Sequence, residues 1–424
     1  MKRWLAVFAS ILLLMSFIAG CSSSSSSSDS SNGKTTLTFF YRWPDDPYHS
    51  YFQSVEKEFE KENPNVQIKE ITAINDDYKQ KANVLLGSQN PPDLFFTWVG
   101  EYGQKFIRDG VALDLSSYFQ KDKAWSSQLI PSQVSPFESN GKVYGVPLHT
   151  DTKLFFYNKD LFDKLGLKVP TTWTEFINDL KVLKQNGTTP LLLGNKDPWA
   201  AGHYITALNQ RMVPASVIQQ DFSYKGAKFT DPGYVQALEK LQELEPYMNT
   251  NPNALTHEAS RNEFVAGKGG VIFLESLEIS LLKDAKFHWG TFKMPTIDGG
   301  KGDQTGLIGA PEGFMVSKKS AHPDLAVKFL EFLTNKVNGE KLIKETGLAS
   351  TVQGAVNSQT ASKQEVDAMS LITGAKNMMV WTDSAIDTQI FNPYGSGAQA
   401  LLGGQTTPQA VMKSVQQAAQ QVNQ

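Results

Sequence analysis

The chain of 424 residues carries 40 Lys and Arg against 43 Asp and Glu, a formal charge of −3, and this near balance argues against a nucleic-acid partner. A hydrophobic fraction of 40% with eight Trp indicates a globular body larger than one core usually holds, so two lobes are expected. A single cysteine, Cys21, excludes an internal disulfide, and six scattered His argue against metal ligation and for no cofactor.

Residues 1–20 read as an export signal: Lys2-Arg3, an apolar run from Trp4 to Ile18, then Ala19-Gly20. Ile18-Ala19-Gly20-Cys21 resembles the lipobox of bacterial lipoproteins, in which the cysteine is acylated and becomes the new N-terminus. The alternative is an ordinary cleaved signal with an incidental Cys. Each buried lipid methylene contributes roughly 0.8 kcal/mol, and two chains anchor stably where one does not. The lipidated Cys21 and the Ser-rich stretch 21–33, which holds almost nothing to bury, read as a membrane anchor and a flexible leash. No second segment approaches the apolar length needed to span a bilayer.

From residue 34 the pattern alternates. Strands are expected at 37–41, 66–71 and 93–98, with helices between, the first carrying Tyr51, Phe52, Val55 and Phe59 at helical spacing and the second running over 76–86. Thr172-Trp173-Thr174-Glu175 matches a capping box, with Phe176, Ile177, Leu180 and Leu183 on one face and Gly187 as the stop. Further helices are expected over 234–247 and 324–333, and behind Thr407-Pro408 through Val422. Such alternation predicts an α/β sheet covered by helices on both faces.

Several short segments in order resemble the bacterial extracellular solute-binding proteins of ABC transporters, in the sugar-binding branch that includes maltose-binding protein. They are Phe59-Glu60-Lys61-Glu62-Asn63-Pro64, Pro92-Asp93-Leu94-Phe95-Phe96, Gly145-Val146-Pro147, and Phe156-Tyr157-Asn158-Lys159-Asp160-Leu161. Val169 to Phe176, Gly267-Lys268-Gly269-Gly270-Val271 and Lys319 to Pro323 follow. The resemblance implies a two-lobed periplasmic-binding-protein-like fold with hinge strands and a central ligand cleft. Lobe one would take 34–150 with 311–359, and lobe two 151–310 with 360–424. Hinges are expected at 149–153 and 306–313.

Sugar recognition needs flat apolar faces for the C–H side of each ring, and carboxylates that accept from fixed hydroxyls. Trp43 with Asp45 and Asp46 follows the first strand, and Trp98 with Glu101 follows the third, where open α/β sheets present ligand loops. Trp381 with Asp383 is a further pair, and each of these Trp has an alternative reading as packing. The resemblance adds Asp151 as an acidic sugar contact, Asp197-Pro198-Trp199 as the segment that supplies a stacking ring, and Phe314 as a cleft wall. Glu275 stands where relatives often continue with glycines and a tryptophan, a departure that leaves a carboxylate to hydrogen-bond a hydroxyl or pair with a cationic ligand. Trp125, Trp173 and Trp289 are assigned to packing.

The expectation is a monomeric, lipid-anchored receptor that captures a sugar or oligosaccharide outside the cell and delivers it to the transmembrane subunits of an ABC permease. The competing classes are a glycan-acting hydrolase and a surface adhesin. His257-Glu258 lacks the second histidine of a zinc helix, and there is no Gly-x-Ser-x-Gly elbow or phosphate-binding Gly-Lys-Ser/Thr loop. Cys21→Ala is expected to abolish palmitate labelling, the precursor staying uncleaved or escaping into the medium. A variant that still takes up label would place the acyl group elsewhere.

Overall fold

The computed structural model describes residues 33–373 and 377–424, so Cys21 and the segment before it lie outside the described residues. The first strand, β1 (Thr35–Tyr41), buries Leu37, Phe39 and Phe40, and α1 (Tyr48–Glu62) lays Tyr51, Phe52, Val55 and Phe59 towards the core. β2 (Val66–Thr72) then pairs parallel with β1, and after α2 (Asn75–Leu86) the wholly buried β3 (Leu94–Trp98) pairs parallel on its other side. α3 (Glu101–Arg108) leaves the end of β3.

The next long strand, β4 (Gly145–Asn158), is buried along its whole length. It leads into α4 (Trp173–Gln185), β5 (Thr189–Leu192), α5 (Trp199–Met212), α6 (Pro232–Leu244), α7 (His257–Val265), β6 (Gly269–Glu275), β7 (Trp289–Phe292) and the equally buried β8 (Leu307–Val316). α8 (Pro323–Leu333) and α9 (Lys336–Thr346) pack on α1, followed by the two-residue strands β9 (Ala349–Ser350) and β10 (Met378–Met379). Finally α10 (Thr388–Leu402) packs on α5 and α11 (Pro408–Val422) on α6.

The terminators foreseen in the sequence are present. Thr172 Oγ1 accepts from the Glu175 N–H at 3.3 Å while Glu175 Oε2 accepts from the Thr172 N–H at 3.1 Å, the reciprocal capping box. The periodic helix near 234 begins at Pro232 and its last turn, Glu245–Tyr247, tightens to a 3₁₀ turn. Trp125 and Trp173 are buried with their indole N–H groups donating to Thr334 Oγ1 and Glu243 Oε2, both at 2.9 Å, and Trp289 packs on Phe156.

The strands lie in the order β2-β1-β3-β8-β4-β6-β5, with β7 and β9 on β4 and β10 on β8. β4 and β8 are shared by both halves of the sheet. Residues 145–152 of β4 pair antiparallel with 309–315 of β8, whereas 153–158 lie between β6 and β7. β8 pairs with β3 through Glu312–Val316 and with β10 at Leu307 and Ile308. Their crossing is tight: Gly309 has φ +152°, and a Cβ there would stand 2.2 Å from the Asp151 carbonyl oxygen, so only glycine fits. The register also shifts between Glu312 and Gly313, a break that redirects the strand where the halves meet. Arg211 on α5 fastens the approach to β8, its guanidinium donating to the carbonyls of Met294, Asp303 and Gly306 at 2.8 to 3.0 Å.

A second buried polar cluster lies between α1 and β2, away from the crossing. Burial, then its hydrogen bond to Glu70, pushes the Glu56 carboxyl up to about 10. It therefore donates a proton to Glu70, which also accepts from Tyr41 Oη at 2.9 Å and lies 2.8 Å from His49 Nε2. Burial opposes ionisation of Glu70, but these donors hold it below the usual carboxylate range. Between about pH 4.5 and 10 the folded chain thus keeps a proton that the unfolded chain releases, and stability falls as pH rises through that window. Glu56→Gln keeps a donor and removes the proton. Its unfolding free energy should decline less steeply between pH 6 and 9 than that of the parent, by about 1 kcal/mol per pH unit. Denaturant titrations giving parallel slopes for the two proteins would show that Glu56 ionises normally.

Candidate functional site

The C-terminal ends of parallel strands β1 and β3 bring Arg42, Trp43 and Trp98 to one edge of the sheet, and α2 places Lys79 beside them. The Arg42 guanidinium stands 5.0 Å from the Trp43 ring centre, 5.2 Å from Trp98 and 5.4 Å from Phe96, and its Nη2 is 3.2 Å from Glu312 Oε2. Burial alone would raise the Glu312 carboxyl, but Arg42 and then His149 hold it below the usual carboxylate range. Lys79 Nζ lies 5.1 Å over Trp98.

Facing them are residues of the second half. Trp199 opens α5 and His203 follows one turn later on the same face, their rings 5.3 Å apart. Lys153 Nζ lies 5.0 Å from the Trp199 ring. Trp381 stacks on His203 at 4.4 Å and 24°. His203 Nδ1 is 3.7 Å from Glu275 Oε1, and its Nε2 is 3.8 Å from Asp383 Oδ1. Burial, followed by Lys153, pushes the imidazole well below its ordinary value, so His203 is neutral. Burial also raises Glu275, against the attraction of Lys153.

These groups enclose a chamber of about 30 Å³ lined by Arg42, Lys79, Trp98, Trp199, His203, Glu275, Trp381, Asp383 and Ser384. Two further cavities adjoin it. An inner pocket of about 150 Å³ shares Arg42, Trp199 and Glu275 with the chamber and adds Trp43, Tyr48, His257 and Arg261. An outer groove of about 700 Å³ shares Lys79, Trp199 and Asp383 and adds Tyr102, Arg108 and Tyr224. Trp199 lines all three, and its indole N–H, like His203 Nδ1 and Asp383 Oδ1, has no hydrogen-bond partner among the described residues. Such orphan donors and acceptors around an aromatic chamber suit a ligand carrying several hydroxyls.

The candidates from the sequence fall into four groups. Trp98, Trp199, Glu275, Trp381 and Asp383 surround the chamber. Trp43, Asp45 and Asp46 line the inner pocket, though Trp43 also stacks on Phe52 at 5.4 Å and Asp46 accepts from the Ser50 N–H at 3.1 Å, a contact that starts α1. Glu101 borders the outer groove and forms an ion pair with Arg108. The remaining three line none of these cavities. Asp151 is fully buried at the strand crossing, where its Oδ1 accepts from Ser276 Oγ at 2.7 Å and the Leu277 N–H at 3.2 Å, and burial, then Glu275, raises it well above the usual range. Asp197 is half-buried on the turn before α5.

Phe314 is a correction. The resemblance placed it at a cleft wall, yet it is fully buried in the hydrophobic core, 4.9 Å from Phe39 and 6.0 Å from Phe96. The strand that carries it is hydrogen-bonded on both sides, and alternation turns Phe314 to the α1 face.

Arg42, Lys79, His203 and Ser384 were not foreseen, nor were His257 and Arg261, which clasp Glu278 at 2.8 Å each. Two signals were available. Arg42 directly precedes Trp43 at a strand end, and His203 lies four residues after Trp199 on one helix.

A two-lobed α/β body with strands shared between the lobes and an aromatic, polar cleft between them is the architecture of a solute receptor. The chain belongs to the bacterial extracellular solute-binding protein family, whose model matches residues 46–340. It is 26% identical to the multiple sugar-binding protein of Streptococcus mutans over 70% of this chain and 71% of that one. It is 24% identical to the maltodextrin-binding protein MdxE of Bacillus subtilis, over 87% and 83%. A solved structure from work on xylan utilization by the thermophilic bacterium Caldanaerobius polysaccharolyticus superposes with a TM-score of 0.84 at 28% identity, covering 90% of this chain and 99% of the other. These relatives are binding proteins, not enzymes. Among the described residues no helix is long and apolar enough to cross a membrane.

Proposed function

We propose that this protein is the extracellular receptor of an ABC importer for a sugar or oligosaccharide, tethered through Cys21 and acting as a monomer that hands its ligand to the permease. Lobe one is then residues 34–150 with 311–359, and lobe two 151–310 with 360–424. The observation that carries the reading is Trp199, one indole that borders the chamber and both adjoining cavities. A sugar ring lays its C–H face on such a surface while its hydroxyls reach the carboxylates at the edge, here Glu275 and Asp383. The sugar-binding relatives and the lipobox-like junction at Ala19-Gly20-Cys21 support the ligand class and the anchor.

Closure follows from the same geometry. A ligand touching Trp98 in lobe one and Trp199 in lobe two binds the closed arrangement better than an open one, and so draws the lobes together about β4 and β8. A thermal-shift screen against a carbohydrate panel identifies the ligand, since one present at about a hundred times its dissociation constant adds roughly 2.7 kcal/mol of stability.

Trp199→Ala removes buried apolar contact and C–H to π attraction worth about 2 to 4 kcal/mol in the complex. Calorimetry on the folded variant should show affinity for the identified sugar weakened roughly thirty- to a thousand-fold. Near-normal affinity would make Trp199 a packing residue and remove the support this site gives to the reading.

A further inference from the structure

The chamber and the outer groove are neighbours that share Lys79, Trp199 and Asp383, and two of these meet as an ion pair. Lys79 Nζ and Asp383 Oδ2 meet at 2.8 Å across the cleft, one from α2 of lobe one and one from the segment before α10 in lobe two. Both line the chamber and both line the groove, so the pair stands between the two spaces. The bridge is anchored on each side: Lys79 rests 5.1 Å over the Trp98 ring and 6.0 Å over Tyr102, and the Asp383 side chain is almost fully covered beside His203. Towards the inner pocket the shared residues are Arg42, Trp199 and Glu275.

We propose that the Lys79–Asp383 bridge sets ligand length. It closes the chamber towards the outer groove, so a chain lying in the chamber and inner pocket ends at the bridge instead of running on past Tyr102 and Tyr224. The inference rests on the sugar reading of this cleft and adds to it which side chains select among chain lengths. A bound glycan that crossed this plane would have to separate the two charges and replace both partners with hydroxyls. The structure thus builds discrimination against the longer ligand as well as contacts to the shorter one.

A pair acting only as a latch between the lobes would change affinity for every ligand by the same factor, whereas a partition changes the ratio between lengths. The test is calorimetry with a glycan that the parent protein binds and its homologues lengthened one sugar at a time, comparing the parent, the Lys79→Ser/Asp383→Ser double variant and the charge-exchanged Lys79→Asp/Asp383→Lys protein. The double variant should gain about tenfold in affinity for longer chains relative to the shortest bound one, and the exchanged pair should restore the parental ratio. A ratio that is the same in all three proteins would overturn the partition, as would a parent that already favours the longer chains. Acrylamide quenching of tryptophan emission is the second readout and needs no ligand. Opening the partition should expose Trp98 and Trp381 to quencher from the groove, and unchanged quenching would overturn the proposal even if no glycan binds, an outcome that on its own would count against the sugar reading instead.

Discussion

The crossing of β4 and β8 is the constraint on which the cleft depends. At this point two buried strands must approach backbone to backbone, which Gly309 permits, and they carry His149 and Glu312 into the interior 3.4 Å apart. Glu312 accepts the charge of Arg42, and Arg42 lies against Trp43 and Trp98. A buried charge without its counterion costs about 3 to 5 kcal/mol, so these groups move together or not at all. The floor of the lobe-one site is thereby referenced to the strands that join the lobes.

The same crossing sorts polar contacts by what a lobe rotation does to them. On the proposed lobe bounds, Arg42–Glu312 falls within lobe one, and Asp151 with Ser276 and Leu277 falls within lobe two. Contacts across the proposed lobe boundary include Tyr48 Oη donating to the Leu277 carbonyl at 2.6 Å, the Lys79–Asp383 pair, and the Arg108 guanidinium 3.7 Å over the Tyr224 ring. Contacts of this kind contribute on the order of 1 kcal/mol each. On the proposed two-lobe reading, a sum of this size would bias the lobe equilibrium without fixing it and leave the deciding term to a ligand that touches both sides.

The strands, the caps and the helix faces were legible in the sequence because each rests on local chemistry. The apolar run at 37–41, the box at Thr172 and Glu175, and the proline behind Thr407 act within a few residues of themselves. The lining of the chamber was legible where an aromatic stood beside an acid at a strand or helix end, as at Trp199 and at Trp381 with Asp383. It was not legible at Lys79 or Arg42, because a lysine on an amphipathic helix and an arginine after a strand look like solvated charges until the fold stacks them on Trp98. Phe314 failed for the opposite reason. Its place in the chain matched a cleft residue of relatives, but which face of a strand a side chain takes depends on pairing partners two hundred residues away, β3 and β4.

The cations on the rings alter how the aromatic surfaces work. Trp98 is covered by Arg42 and Lys79, and Trp199 by Lys153, so part of each face is already engaged by a charge from the protein. On the proposed sugar reading, a ring arriving there would exchange a cation–π contact for C–H to π contact and leave those cations to hydroxyl oxygens. Neutral His203 completes this requirement. Stacked on Trp381 between Glu275 and Asp383, it offers one donor and one acceptor, matching a hydroxyl that both gives and receives, whereas an imidazolium would offer donors only. Burial keeps it neutral, and it is buried because α5 carries Trp199 and His203 on one face into the cleft. The helix that carries Trp199 therefore also sets the protonation state of the group beside it.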